Sequence, residues 1–318
     1  MDELPRRTLG RSGIDVPVVG IGCNNFGGRI DAARSERVIQ AALDEDVAFF
    51  DTADIYSDGR SEEIIGRALR GRRDQAVIAT KFGGPMGPQR SGGSRRWTME
   101  AVEDSLRRLA TDHIDLYQHH FFDESVGQEE TLEALNDLVT AGKVRAIGCS
   151  NYNGEQIDVA DAIATEHGWA HYVTAQNHYS LLERREVEES VTPACARHGM
   201  GILPYFPLAS GLLTGKYARD AQPPPGSRLG NDAGRAKKLM TDANFDIVEA
   251  LERFARERGI TVLDVAIGGM AAQPQVASVI AGATTPEQVA ANARAGQWVP
   301  SAADVEEMDR ITAHTAVA

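Results

Sequence analysis

Basic residues are in short supply in this chain: 33 lysines and arginines stand against 46 aspartates and glutamates, a net charge of −13. A nucleic-acid surface normally carries a basic patch, so the balance points away from a nucleic-acid partner. An anionic ligand must then be met by local Lys and Arg. Cysteine is scarcer still. Cys23, Cys149 and Cys195 are odd in number and far apart, which argues for buried free thiols rather than a disulfide framework. No apolar run approaches the roughly 18 residues of a membrane span, and the opening MDELPRRTLGRSG has no apolar signal region. The expectation is a cytoplasmic chain with no membrane partner. Metal-ligand spacing is also missing. Asp115, His119, His120 and Asp123 lie close in sequence, but strand alternation sends His119 and His120 to opposite faces, so no metal is expected.

What is present is a rhythm. Hydrophobic content of 42% and charged content of 25% suit an ordinary globular protein. Short apolar runs close on Gly22, Asp51, Lys81, His120, Ser150 and Asn151, Gln176, Tyr205 and Gly282, with amphipathic segments of helical period between them. This reads as a (β/α)8 TIM barrel, one domain over residues 1–318, in which the C-terminal strand ends converge on one rim. Residues 7–19 read as a β-hairpin ahead of the first barrel strand, placed to cap the barrel floor. The first helix is expected from Ser35 to Asp46 and the third from Met99 to Leu109 after a Thr98 cap. Further helices are expected after Gly127, Asn153, Glu183, Thr241 and Thr261. Thr285-Pro286-Glu287-Gln288 reads as a capping box. Two long rim loops, residues 83–96 and 218–239, are either functional covers or merely mobile.

Three of the strand ends carry chemistry together. FDTADIY (50–56), VIATKFG (77–83) and IDLYQHH (114–120) bring a carboxylate, a phenol, an ammonium and an imidazole to one rim. Tyr56 is a protonated acid at neutral pH. Lys81 would stabilise its phenolate and lower its pKa, Asp51 would hold Lys81 charged, and His120 would orient a carbonyl oxygen. Singly, each residue has an ordinary explanation as a turn, a surface cation or a packed aromatic; jointly they describe a proton-donating site for carbonyl chemistry.

With these motifs the chain resembles an aldo-keto reductase, in particular the microbial branch related to potassium-channel β subunits. AIGCSNYN (146–153), TAQNHYSLLER (174–184), LPYFPLASGLLTGKY (203–217) and GATTPEQVAAN (282–292) extend the resemblance. It implies a catalytic tetrad of Asp51, Tyr56, Lys81 and His120. It also implies an extended NADPH, with NADH as the alternative, bound without a Rossmann domain; GIGCNN (20–25) indeed fails the G-x-G-x-x-G pattern. On that resemblance Ser150, Asn151 and Gln176 hold the nicotinamide carboxamide, Tyr205 stacks on the ring, and the 208–216 backbone with Lys216 meets the pyrophosphate. Gly22, Cys23, Asn24, Phe206, Leu208, Ser210, Gly211, Arg228, Gly282, Gln288 and Asn292 complete the expected cofactor contacts.

The pattern departs from the family in places. Phe121 and Phe122 follow the histidine where relatives often carry Arg or Trp and then Pro. Phe206 replaces a common Ser. Ala283, Thr284 and Thr285 stand where relatives preferring NADPH often carry Lys or Arg, which leaves Arg228 or Arg294 to supply charge. The substrate pocket is expected from Asn24, Phe26, Phe82, Trp97, Phe121 and Phe122, which suggest a small apolar or aromatic carbonyl compound. Two other functions compete: a cofactor-binding regulatory subunit with slow turnover, and a Schiff-base aldolase using Lys81.

Overall fold

A computed structural model describes residues 4–313. Strands β1 (Arg6–Thr8) and β2 (Asp15–Pro17) form the antiparallel hairpin. The barrel strands are β3 (Val19–Gly22), β4 (Phe49–Asp51), β5 (Val77–Phe82), β6 (Ile114–His119), β7 (Val144–Ser150), β8 (Tyr172–Gln176), β9 (Gly201–Ile202) and β10 (Val279–Gly282). All pair in parallel in the order β10-β3-β4-β5-β6-β7-β8-β9. Bridges between Ile202 and Val276 and between Tyr205 and Ile280 join the two ends of the sheet.

Helices α1 (Ala32–Asp44), α2 (Arg60–Ala68), α3 (Arg95–Leu109), α4 (Gln128–Thr140), α5 (Gly154–His167) and α6 (Thr192–His198) alternate with the strands. They are followed by α7 (Ala233–Leu239), α8 (Asp242–Glu257), α9 (Val262–Ala271), α10 (Pro286–Ala295) and α11 (Ala302–Thr312). Their apolar faces pack on the outer wall of the barrel, the larger of two cores. The smaller core lies inside it. There Leu9, Ile14 and Val16 of the hairpin meet Phe49, Leu116, Val173 and Leu203, so the hairpin plugs the floor as expected.

Several boundaries differ from the sequence pattern. Helix α1 begins earlier because Asp31 accepts from the Arg34 N–H. Helix α3 begins a turn before the expected start: Ser94, not Thr98, is the cap, and the Thr98 hydroxyl donates back to the Ser94 carbonyl inside the helix. After Glu183 the backbone forms a π-helical turn, Val187–Val191, before α6. Thr285 caps α10, but the return arm of the expected box goes elsewhere: Gln288 Oε1 accepts from the N–H of Thr284.

Strand register positions the rim. It sets Asp51 beside Gly22, Lys81 beside Gln118, and Ser150 beside Gln176. Lys81 and Ser150 therefore each have a polar neighbour across the sheet.

Candidate active site

The rim surrounds a cavity of about 480 Å³. Lys81, wholly buried, extends its Nζ up the barrel axis and donates to Asp51 Oδ2 at 2.7 Å and to the Thr52 carbonyl at 2.8 Å. The Tyr56 hydroxyl lies 3.5 Å from the same ammonium. The other carboxylate oxygen, Asp51 Oδ1, accepts from Gln176 Nε2 at 2.8 Å and from Gln118 Nε2 at 3.4 Å. Asp51 is thus clamped on both oxygens. Gln118 was not anticipated, although strand period 2 puts it on the same face as His120.

The electrostatics follow from burial and pairing. Burial works against the Lys81 ammonium, but Asp51 and Tyr56 outweigh it and its pKa rises, so the amine stays charged. That state is unsuited to imine formation, which needs a neutral amine. For Tyr56 the expected downward shift is not the net result. Burial raises its pKa, Lys81 pulls it down, and burial wins. The phenol is a firmly protonated donor. His120 is driven down to about 2 by burial and by Lys81, so it is neutral. Its Nδ1 is buried without a partner, and the residue lines the cavity.

Around the rim the side chains lock one another. Asn151 Nδ2 donates to the His120 carbonyl, and Asn151 Oδ1 accepts from the Tyr205 hydroxyl at 2.7 Å. Ser150 Oγ donates to the Gln176 carbonyl. The backbone here is unusual: Asn151, Phe206, Ala209 and Ser210 have positive φ, as does Gly211 at +96°. Non-glycine residues seldom adopt this region, and such strain gathers at functional sites. The left-handed residues are Phe206 and then Ala209, Ser210 and Gly211 in succession, with Leu208 at φ −95° between them. Lys216 Nζ lies against Gly211, where a Cβ would stand 2.3 Å from it.

All of the expected cofactor contacts line this one cavity: Gly22, Cys23, Asn24, Asp51, Ser150, Asn151, Gln176, Tyr205, Phe206, Leu208, Ser210, Gly211, Lys216, Arg228, Gly282, Gln288 and Asn292. Two of them have unspent polar capacity. Asn292 Nδ2 is buried without a partner, and Arg228 lies 4.8 Å over the Phe206 ring with no carboxylate bound to it among the described residues. Burial and the nearby Arg235 and Arg29 depress the Arg228 pKa. Phe206, unable to bond a phosphate itself, instead holds two arginines, since Arg235 lies over the same ring. Arg29, also unanticipated, lines the cavity and donates to the Gly226 carbonyl, tethering the 218–239 loop.

The substrate end corrects the sequence reading. Asn24 and Phe121 line the cavity, and Phe121 stacks on His120 with centroids 4.2 Å apart. Phe26, Phe82 and Trp97 are core residues instead. Phe82 alternates with Lys81 along β5, so it faces the outer wall and stacks on Tyr117 and His119. Trp97 sits in the first turn of α3 beneath Arg90. Phe122 turns toward Tyr152, away from the cavity. Ile55 and Leu263 complete the apolar lining. No group of three or more His, Cys, Asp or Glu side chains among the described residues is arranged to hold a metal, and no helix there is long and apolar enough to cross a membrane.

Comparison with known proteins agrees with the geometry. Residues 18–313 match the family model described as the aldo/keto reductase family. The chain is 36% identical over 301 residues to a probable voltage-gated potassium channel subunit beta of Oryza sativa subsp. japonica, covering 92% of each. It is 35% identical to the aldo-keto reductase YhdN of Bacillus subtilis, covering 97% of this chain and 93% of that one. To the L-glyceraldehyde 3-phosphate reductase of Escherichia coli K12 it is 31% identical, covering 92% and 88%.

Proposed function

The chain belongs to the aldo/keto reductase family of oxidoreductases, and from that membership we propose that it reduces aldehyde or ketone carbonyls to alcohols, with NADPH as preferred dinucleotide and NADH as the alternative. The observation that carries the reading is the protonated Tyr56 hydroxyl, 3.5 Å from the charged Lys81, on the wall of a cavity lined by the residues expected to contact a dinucleotide. Family members generally use NAD(P)H. The unpartnered Asn292 Nδ2 and the Arg228 guanidinium, which has no bound carboxylate among the described residues, suit a phosphate-bearing, amide-bearing ligand. In this reading Ser150, Asn151 and Gln176, which line the cavity, hold a carboxamide, Tyr205 stacks on a flat ring, and the 208–216 backbone with Lys216 meets a pyrophosphate.

When bound, the reduced dinucleotide supplies a hydride. The protein manages the proton and the developing charge. The His120 imidazole and the Tyr56 hydroxyl meet the carbonyl oxygen, and Tyr56 donates its proton as negative charge builds there. Lys81 then stabilises the phenolate, while Asp51, fixed by Gln176 and Gln118, keeps the ammonium in place. In the reverse direction the phenolate is the base. Phe121 and Ile55 provide apolar walls for the carbonyl compound, and Arg29 offers a cation at the rim.

A second reading, a cofactor-binding regulatory subunit, is favoured by the relatives named as channel β subunits. A panel of aldehydes and ketones, followed by nicotinamide absorbance with NADPH and with NADH, separates the two. Turnover of at least one carbonyl class on the order of 1 s⁻¹ or faster supports the enzyme. Tight dinucleotide binding with no turnover across the panel favours the regulatory reading.

A further inference from the structure

Behind the tetrad lies a carboxyl group that the reaction does not use. Asp54, 1% exposed, sits two residues before Tyr56 in the turn leaving β4. Its backbone N–H donates to the Lys81 carbonyl at 3.1 Å. Its Oδ1 accepts from the Ile55 N–H at 2.7 Å, and the Tyr56 N–H closes the turn on the Ala53 carbonyl. One residue therefore ties the donor's turn to the strand that carries the lysine. The far side of the carboxyl faces a closed polar cluster. Glu62 accepts from the Thr80 hydroxyl and from Arg108, each at 2.6 Å, so Arg108 is already committed. Both Asp54 Oδ2 and the Tyr117 hydroxyl are buried with no partner.

We propose that Asp54 is a positioning residue for the proton donor, its carboxyl folding the 54–56 turn into the shape that sets Tyr56 over Lys81. The groups facing it are Glu62 from α2, Arg108 from α3, Lys81 from β5 and Tyr117 from β6. Burial and Glu62 outweigh Arg108 and Lys81 and raise the Asp54 pKa to about 7. Below that the group is neutral, the state the cluster tolerates. Above it, a second anion stands beside Glu62 with no cation bonded to it among the described residues, and the repulsion disturbs the 54–56 turn that carries Tyr56. The other shifted groups of the site titrate elsewhere: His120 near 2, His119 near 4, His178 below its usual value, and Tyr56 and Lys81 above theirs.

The inference rests on Tyr56 as donor, and its test separates the two. With tyrosines labelled at the ζ carbon, the Tyr56 resonance is assigned by its loss in Tyr56→Phe and followed from about pH 5.5 to 9, the range that brackets the transition. In the native protein it should shift through about pH 7. In Asp54→Asn, which keeps the acceptor for Ile55 and cannot ionise, it should not. Carbonyl reduction should fall in kcat, with the dinucleotide KM nearly constant, as pH rises through the same value. Asp54→Asn should remove that limb and retain kcat at low pH within about threefold, whereas Asp54→Ala should lose about tenfold at every pH. A native resonance flat across the range, or a transition that survives in Asp54→Asn, overturns the proposal. Equal impairment of the Asn and Ala variants does so too. Full activity of Tyr56→Phe overturns the donor assignment alone.

Discussion

At the scale of single residues, the site is a contest between burial and pairing, decided differently at each group. Lys81 stays charged because Asp51 and Tyr56 together outweigh its desolvation. At Tyr56 desolvation prevails over the pull of Lys81. Replacing Lys81 by Met removes that cation and leaves Asp51 buried with only amide donors. Two consequences are expected. Alcohol oxidation, which needs the phenolate, should have its basic limb displaced to higher pH, because the main opposition to burial at Tyr56 is then gone. Stability at neutral pH should fall by about 3–5 kcal/mol, the usual result of orphaning one member of a buried ion pair. Paired pH profiles and denaturant melts of the two proteins read both. An unmoved limb would make Lys81 a structural cation only. The sign at Asp54 is the reverse of a salt-bridged carboxylate. Its folded pKa of about 7 exceeds the ordinary 3.8, so the native state holds the extra proton and stability declines as pH rises between those values.

At the scale of elements, the rim is built from strand ends, caps and one long loop. The loop, residues 218–239, is held by the Arg29 bond to Gly226 and by two arginines on Phe206. Arg228 has no bound carboxylate among the described residues and lines the cavity, which makes it a sensitive probe of what the loop covers. Its change to Ala should weaken the dinucleotide by about tenfold or more, the loss of a charged pairing worth roughly 1.5–3 kcal/mol. Titrating NADPH and NADH against both proteins locates the contact. Equal losses indicate the pyrophosphate, selective loss of NADPH indicates the 2′-phosphate, and no loss removes Arg228 from the site. The strand ends were legible in sequence because each short apolar run stops on a polar or small residue. Phe82 and Trp97 were misplaced because nearness to a rim motif was weighed above alternation: the neighbour of an inward Lys81 must face outward. The start of α3 was hidden because its cap, Ser94, lies inside a Gly- and Ser-rich stretch that reads as loop.

At the scale of the molecule, distant segments become one site because a closed parallel sheet gives them a common rim. The (β/α)8 order and the hairpin plug were readable from apolar periodicity. The clustering of Asp51, Tyr56, Lys81 and His120 followed from that order together with the motifs. Gln118, Arg29 and the Asp54 cluster were not readable, since each depends on which buried polar atoms find partners in three dimensions. The proposed function makes one demand: the Tyr56 hydroxyl should matter to the reacting carbonyl and not to dinucleotide binding. The direct test compares the native protein with Tyr56→Phe, measuring nicotinamide oxidation on the best carbonyl substrate and dinucleotide affinity in the same preparations. The expected result is a loss of roughly 10²–10⁴ in kcat, the size of a general-acid contribution, with affinity essentially unchanged. Near-native turnover in the variant would contradict the account.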